Sequence, residues 1–397
     1  MVRPSDDMEQ LLQLYESALL DDVIPWWMEH GIDWEQGGVT ETIAEDGTIA
    51  SYDKSIWSLG RALFVWSRLY NLIGRRWEWL DVANRICEFM LPIGLENGWV
   101  WPGSVHRDGT LKNPSNAVYA DGFAIMGLTE YAQATGDKRA TEAARATYET
   151  LPKRMEALGT HLATPESIAQ IGKCHGISMI FSTVFHELGK LLDDAEILQA
   201  GHDHAVLIQD QFLKPERKLV LEYTALDGSE LDPPEGRFAI PGHAIESMWF
   251  GIHIFRDRYE KNRIATAAEA IKWHVEAAWD PEYGGLFHAI DADGDTDRVS
   301  PDGLKIMWPH TEALYALLLA YEASGEQWCL DWYDRVHEWS WQHFPVSEHG
   351  EWHRQVARDG SHPWGVDGPY EKPRKEPFHL PRALIMCVDV LRRLAGN

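Results

Sequence analysis

Apolar residues recur at i, i+3, i+4 and i+7 across Ile56 to Tyr70, Ala117 to Thr135, Ile177 to Leu192, Ile245 to Arg258 and Glu312 to Ala323. That is the period of an amphipathic helix. Between these stretches the pattern shortens to alternation running into Asp-Gly. It does so in GGVTETIAEDGT (37–48), GWVWPGSVHRDGT (98–110), KLVLEYTALDGS (218–229), GGLFHAIDADGD (284–295) and GEWHRQVARDGS (350–361). Each copy predicts a strand entering a tight turn, because Asp-Gly accommodates positive φ, and each is expected to open a β-hairpin.

The aspartates of these copies stand at 46, 108, 227, 293 and 359, in steps of 62, 119, 66 and 66. The long step spans two periods, so a degraded sixth copy is expected near residues 161 to 175. Each period has room for two helices of ordinary length plus a hairpin. Six helical hairpins closing on themselves make an all-α (α/α)6 barrel, one domain over residues 1–397, with short β-hairpins gathered at one end. An open solenoid of helix pairs is the alternative. Closure is favoured because the candidate functional residues come from units far apart in sequence. A helix over roughly Ser5 to Glu29 would then pair with one over Pro381 to Leu394 and close the ring.

Composition narrows the function. A formal charge of −26 repels phosphate backbones and anionic membrane surfaces, which argues against nucleic acid and membrane partners. Cys87, Cys174, Cys329 and Cys387 lie far apart, against a zinc ribbon, a redox pair or a disulfide framework, and in keeping with a reducing cytoplasm. The acidic start and the lack of a long apolar run predict a soluble protein that is not exported. Asp291, Asp293, Asp295 and Asp297 mimic a calcium loop but place Thr296 where the sharp turn needs glycine. His202 and His204 read as solvated histidines with no third ligand. No metal is expected. Neither G-x-S-x-G, a P-loop nor G-x-G-x-x-G occurs, so no nucleotide cofactor is expected either.

Nineteen tryptophans supply flat apolar faces of the kind that pack on a pyranose. Trp34, Trp57, Trp99, Trp101, Trp249, Trp308, Trp352 and Trp364 fall at hairpins or helix starts. In PGHAIESMW, His243 stands in a first helical turn with Glu246 three residues on, on the same face. The helix dipole favours the neutral imidazole of a general base, and the carboxylate can orient it. FHLPRALIM repeats that design with His379 two residues before Pro381. In a closed barrel the two histidines would flank one substrate. Lys54, Trp57 and Arg61 share a helical face, with Arg61 suited to a sugar oxygen or to developing negative charge. Trp308, His310 and Glu312 mark another helix entrance, as do Tyr119 and Asp121. Each of these residues also has an ordinary reading as cap, core filler or surface ion pair.

Five pieces carry a resemblance through the whole chain: GGVTETIAEDG with KSIWSLGR, YADGFAIMGLTEY, RFAIPGHAIESMWF, GLKIMWPHTEALYALLLAY, and GEWHRQVARDG with FHLPRALIMC. In these the chain resembles the N-acylglucosamine 2-epimerase family, which includes N-acetylglucosamine 2-epimerases, cellobiose 2-epimerases and mannose isomerases. The resemblance implies an (α/α)6 barrel and a sugar 2-epimerase that needs no cofactor. It implies that His243 and His379 are the acid/base pair, that Glu246 supports the first, and that Arg61 binds the sugar. Trp57, Tyr119, Asp121, Trp249, Trp308, His310 and Glu312 are the expected substrate contacts. Where isomerases and cellobiose epimerases of the family carry a further histidine after a Met, this chain reads Ser178-Met179-Ile180, and His175 is the nearby candidate for ring opening. A homodimer and, for some members, a nucleotide effector are also implied. An aldose-ketose isomerase is the nearest alternative. A glycosidase would use Asp121 with Glu246 or Glu312, and a non-catalytic sugar or protein binder would leave the histidines structural.

Overall fold

The computed structural model describes residues 3–115, 117–158, 169–294, 303–361 and 374–396. Helix starts follow local chemistry. Ser55 accepts from the Ser58 N–H at 3.1 Å to cap one helix, Asp194 accepts from the N–H groups of Glu196 and Ile197 to cap another, and Pro241 opens a third. The long helices are α1 (Met8–Ser17), continued by π-helical and short α-helical turns to Gly31, α2 (Ile56–Arg68), α3 (Trp77–Glu96) and α4 (Tyr119–Thr135). They continue with α5 (Lys138–Leu158), α6 (His175–Leu192), α7 (Ala195–Leu207) and α8 (Pro241–Asp257). The last four are α9 (Lys261–Ala278), α10 (Met307–Ser324), α11 (Gln327–His343) and α12 (His379–Leu394).

The even-numbered helices make the inner ring. Each packs on the next from α2 to α12, and α12 returns to α2, which excludes an open solenoid. The odd-numbered helices pack outside them, α1 against α12 and each of the others against the inner helix before it. Burial follows this division: α10 is buried without interruption from Pro309 to Ala320, whereas α11 buries a stripe that includes Cys329, Tyr333, Val336 and Ser340. The closest inner contact requires glycine. A Cβ on Gly60 would lie 2.3 Å from the Phe123 carbonyl oxygen, and one on Gly127 would lie 2.4 Å from that of Gly60.

The Asp-Gly copies behave in two ways. The first two are hairpins, pairing Thr42–Ile43 with Ile49–Ser51 and Ser104–Val105 with Leu111–Asn113. The expectation of a hairpin fails for the third and fifth, where the turn closes on itself and the chain leaves without a returning strand. The return of the fourth lies outside the described residues, as does most of the expected sixth copy. Strands instead stitch neighbouring units, since a strand entering an inner helix pairs with the Asp-Gly strand of the next unit. Lys54–Ser55 pairs with Ser104–Val105, Gly172–Cys174 with Tyr223–Ala225, Phe238–Ala239 with Ile290–Asp291, and Lys305–Ile306 with Gln355–Val356. The Lys375 N–H donates to the Glu41 carbonyl at 3.0 Å and joins the last unit to the first.

Buried lysines reinforce these stitches: Lys54 on Asp33 at 3.0 Å, Lys305 on Asp280 at 3.1 Å and Lys375 on Glu351 at 2.6 Å. Lys54 therefore does not share the Trp57–Arg61 face. It precedes the helix and points into the seam. The result is a ring whose six helix entrances are tied together at one end. Among the described residues no helix is long and apolar enough to cross a membrane.

Candidate active site

A pocket of about 410 Å³ opens at that tied end, within the range of small-ligand sites. All six inner helices reach it from their first turns. Trp57 and Arg61 come from α2, Tyr119 and Phe123 from α4, Met179 from α6, His243 and Glu246 from α8, Trp308 from α10 and His379 from α12, with Glu376 just before.

Trp308 lies between the two histidines, its ring centroid 5.3 Å from that of His243 and 5.2 Å from that of His379. The Nδ1 of His243 is 3.1 Å from Glu222 Oε2, and His175 Nδ1 is 3.7 Å from the same oxygen. Burial disfavours the charged form of His243, but the Glu222 carboxylate outweighs it and holds the pKa above the ordinary imidazole value. Burial likewise opposes the Glu222 charge, yet His243 and His175 keep its pKa well below the carboxylate range.

His379 is held differently. Its Nδ1 lies 2.8 Å from Glu312 Oε1, an oxygen that also accepts from Arg382 at 2.5 Å. The other Glu312 oxygen accepts from Trp249 Nε1 at 2.9 Å. Burial lowers the His379 pKa to about 3; Glu376 pulls upward, while Arg61 and Arg382 push further down. At neutral pH one imidazole is poised as acid and the other as base, and with both Nδ1 atoms on carboxylates the Nε2 atoms are left for proton transfer.

The Arg61 guanidinium sits among Trp57, Phe123 and Phe378 at 4.9, 4.3 and 4.4 Å and donates to Glu376 Oε1 at 3.1 Å. Burial lowers its pKa to about 10, which leaves it a cation, placed to stabilise an oxyanion in the pocket.

Several sequence expectations are corrected here. Glu246 lines the pocket, but its carboxylate accepts from Arg382 across the ring at 2.7 Å; Glu222, not Glu246, is the hydrogen-bond partner of His243. Glu312 and Trp249 stand behind His379 rather than on the pocket wall. His175 is buried behind Glu222. His310 is a core residue: its Nδ1–H donates to the Ile306 carbonyl at 2.7 Å and its Nε2 accepts from Leu286 N–H at 2.8 Å. Asp121 is fully buried, accepting from the Trp101 N–H at 3.1 Å and paired with Arg154 at 3.1 Å, which removes it from any glycosidase pair. Of the singled-out tryptophans, only Trp57 and Trp308 line the pocket. Trp101 and Trp352 fill the core, Trp34 is exposed and Trp364 lies outside the described residues. His202 is not solvated but bound to Glu260 at 2.8 Å. Asp291 and Asp293 are paired with Arg237 at 2.8 and 2.7 Å, while Asp295 and Asp297 lie outside the described residues.

Glu222, Glu376, Arg382 and His288 carry parts of the site that local spacing did not reveal. For two of them the repeat held a signal. Glu222 and His288 stand five residues before the Asp of their copies, and Arg354 holds the same place in the fifth. Glu222 supports His243, while His288 and Arg354 line the pocket. That register position is where each strand meets the mouth. Donor atoms of His175, Glu222 and His243, and of Glu246, Glu312 and His379, each fall within 4.8 Å of one another. In both sets the carboxylates already serve a histidine or Arg382.

A closed ring of six helical hairpins around a sugar-sized pocket, with one charged and one neutral imidazole on a common indole, is the arrangement of a carbohydrate epimerase, an enzyme of the isomerase class. The sequence pattern of the N-acylglucosamine 2-epimerase (GlcNAc 2-epimerase) family matches residues 37–383, and the chain belongs to that family. N-acylglucosamine 2-epimerase of Mus musculus is 30% identical over 404 residues, covering 97% of this chain and 94% of its own length. Cellobiose 2-epimerase of Bacteroides fragilis is 24% identical over 404 residues, covering 96% and 99%. The solved structure of cellobiose 2-epimerase from Spirochaeta thermophila DSM 6192 shares the fold with a TM-score of 0.81 at 20% identity, covering 100% of this chain and 99% of that one.

Proposed function

We propose that the protein is a cofactor-independent 2-epimerase of a free, uncharged aldose, N-acetylglucosamine and N-acetylmannosamine or a close relative, working as a single cytoplasmic catalytic domain. The supporting observation is the pair of imidazoles on opposite sides of Trp308 with opposite resting protonation.

After the hemiacetal opens, neutral His379 takes the C2 proton and the bond's electron pair moves onto the C1 carbonyl oxygen to give a cis-enediolate. The Arg61 guanidinium and the His243 imidazolium stabilise that oxyanion. His243 then returns its own proton to the opposite face of C2. Charge on the reacting groups is conserved, because one proton is always shared between the two histidines. Reaction of the other epimer runs the same steps in reverse and first requires that proton to move to His379.

An uncharged substrate follows from the pairing of the pocket's cations, since Arg61 is held by Glu376 and Arg374 by Glu41 at 2.8 Å. A phosphate or uronate would have to displace those carboxylates. An aldose-ketose isomerase remains the second reading, in which the proton is returned to C1 instead. Proton NMR in D2O with each sugar separates the two. Loss of the C2 proton signal with growth of the C2 epimer supports the epimerase, whereas a ketose product supports the isomerase.

A further inference from the structure

Three imidazoles surround Trp308, and the proton-transfer scheme uses two of them. The third, His288, packs edge-on against the same indole with centroids 5.6 Å apart and lines the pocket. Its Nδ1 is shielded from solvent and has no hydrogen-bond partner among the described residues. Core histidines of this chain do not tolerate that. His274 and His310 each engage both ring nitrogens. A buried polar atom left unpaired destabilises a fold, and in a pocket wall the partner that completes it is the ligand.

Burial, and after it the charge on His243, lower the His288 pKa to about 4. The ring is therefore neutral and offers one N–H and one lone pair, the complement of a hydroxyl group. Its position in the repeat is independent support, because the equivalent residues in two other copies are Glu222, which holds His243, and Arg354, which lines the pocket. Its electrostatic neighbours are His243 and Glu222, which puts it on the His243 side of the site.

We infer that His288 is a substrate-binding residue whose imidazole hydrogen-bonds a hydroxyl on a carbon flanking C2, O1 or O3, on the His243 side of the sugar. The inference rests on the epimerase reading and adds to it a determinant of which sugars are accepted. No covalent bond changes at His288; it fixes the sugar so that C2 lies between the two bases.

The test is a cycle of enzyme variants against trimmed sugars. Wild type and His288→Phe are compared on the aldose whose C2 proton the wild type exchanges, on its 3-deoxy analogue by turnover, and on the 1,5-anhydro alditol lacking O1 by inhibition. His288→Phe is expected to weaken binding of the full sugar about tenfold. One analogue is expected to lose a similar factor with wild type and nothing further with His288→Phe, while His288→Asn restores part of the loss. His288→Leu carries the same cycle if the Phe variant does not fold. Losses that multiply for both analogues, or a variant that binds every sugar as wild type does, would overturn the assignment while leaving the epimerase intact. A wild type inert toward every sugar would overturn the epimerase reading and this one with it.

Discussion

His243 and His379 enter the pocket the same way, each in the first turn of an inner helix with its Nδ1 on a buried carboxylate, yet they rest in opposite charge states. The helix dipole is common to both and does not separate them. The surroundings of the carboxylates do. Glu222 serves two imidazoles, so its charge is available to stabilise an imidazolium. Glu312 also neutralises the Arg382 guanidinium, with Arg61 close by, and its charge is spent before His379 can draw on it. A hydrogen bond to a carboxylate thus orients a histidine without deciding its protonation; the net charge around the carboxylate decides that.

The largest effects come from removing either base. His243→Asn and His379→Asn are each expected to lower the epimerisation kcat by about 10³-fold, measured as net conversion between C2 epimers. Next come the carboxylates, where the comparison is sharpest. Glu222→Gln is expected to reduce kcat/KM by about 10²-fold at neutral pH, with its alkaline limb displaced to lower pH. Glu312→Gln should leave that limb in place. A pH profile of both variants distinguishes the outcomes, and equal displacement in both would contradict the assignment.

The wild-type profile has its own sign. His243 must carry a proton and its pKa is raised, so kcat/KM falls as pH rises through that raised value. His379 must be neutral and its pKa is about 3, so no acid limb from it is expected above about pH 4. An acid limb near pH 6 in kcat/KM would refute the neutral resting state of His379.

The smallest effect on activity lies at Asp121, outside the pocket. Asp121→Asn is expected to change kcat/KM by less than about twofold. Burial raises the Asp121 pKa from 3.8 to about 6, against the Trp101 N–H and Arg154. The folded state therefore binds the proton more tightly, and this group's contribution to stability is lost as pH rises from about 4 through about 6. Denaturant melts across that window should show the wild-type decline reduced in Asp121→Asn.

The periodic parts of this molecule were legible in its sequence. The Asp-Gly spacing led to six units, and the inner helices lie where apolar residues recur. His243, His379 and Arg61 were legible because each stands in or near the start of an inner helix, and the tied ends of the ring bring all six starts together. Helical spacing failed where partners cross the ring. Glu246 is three residues from His243, yet it reaches Arg382, 136 residues away, because α8 and α12 both present these side chains toward the barrel axis. Glu222 sits on a strand with no local link to His243 and shows itself only when the repeats are laid in register. The hydroxyl-rich helix starts misled in the other direction: His310 and Asp121 occupy mouth-like positions in sequence but turn into the seams, where backbone groups need partners.

The most direct measurement is C2 hydrogen–deuterium exchange in D2O, starting from each pure epimer, for His243→Asn and His379→Asn separately. If the two histidines act on opposite faces, His243→Asn still exchanges the epimer whose proton His379 removes, His379→Asn still exchanges only the other, and neither converts one epimer to the other. Exchange of the same epimer by both variants, or full epimerisation by either, would contradict a two-base site built on Trp308.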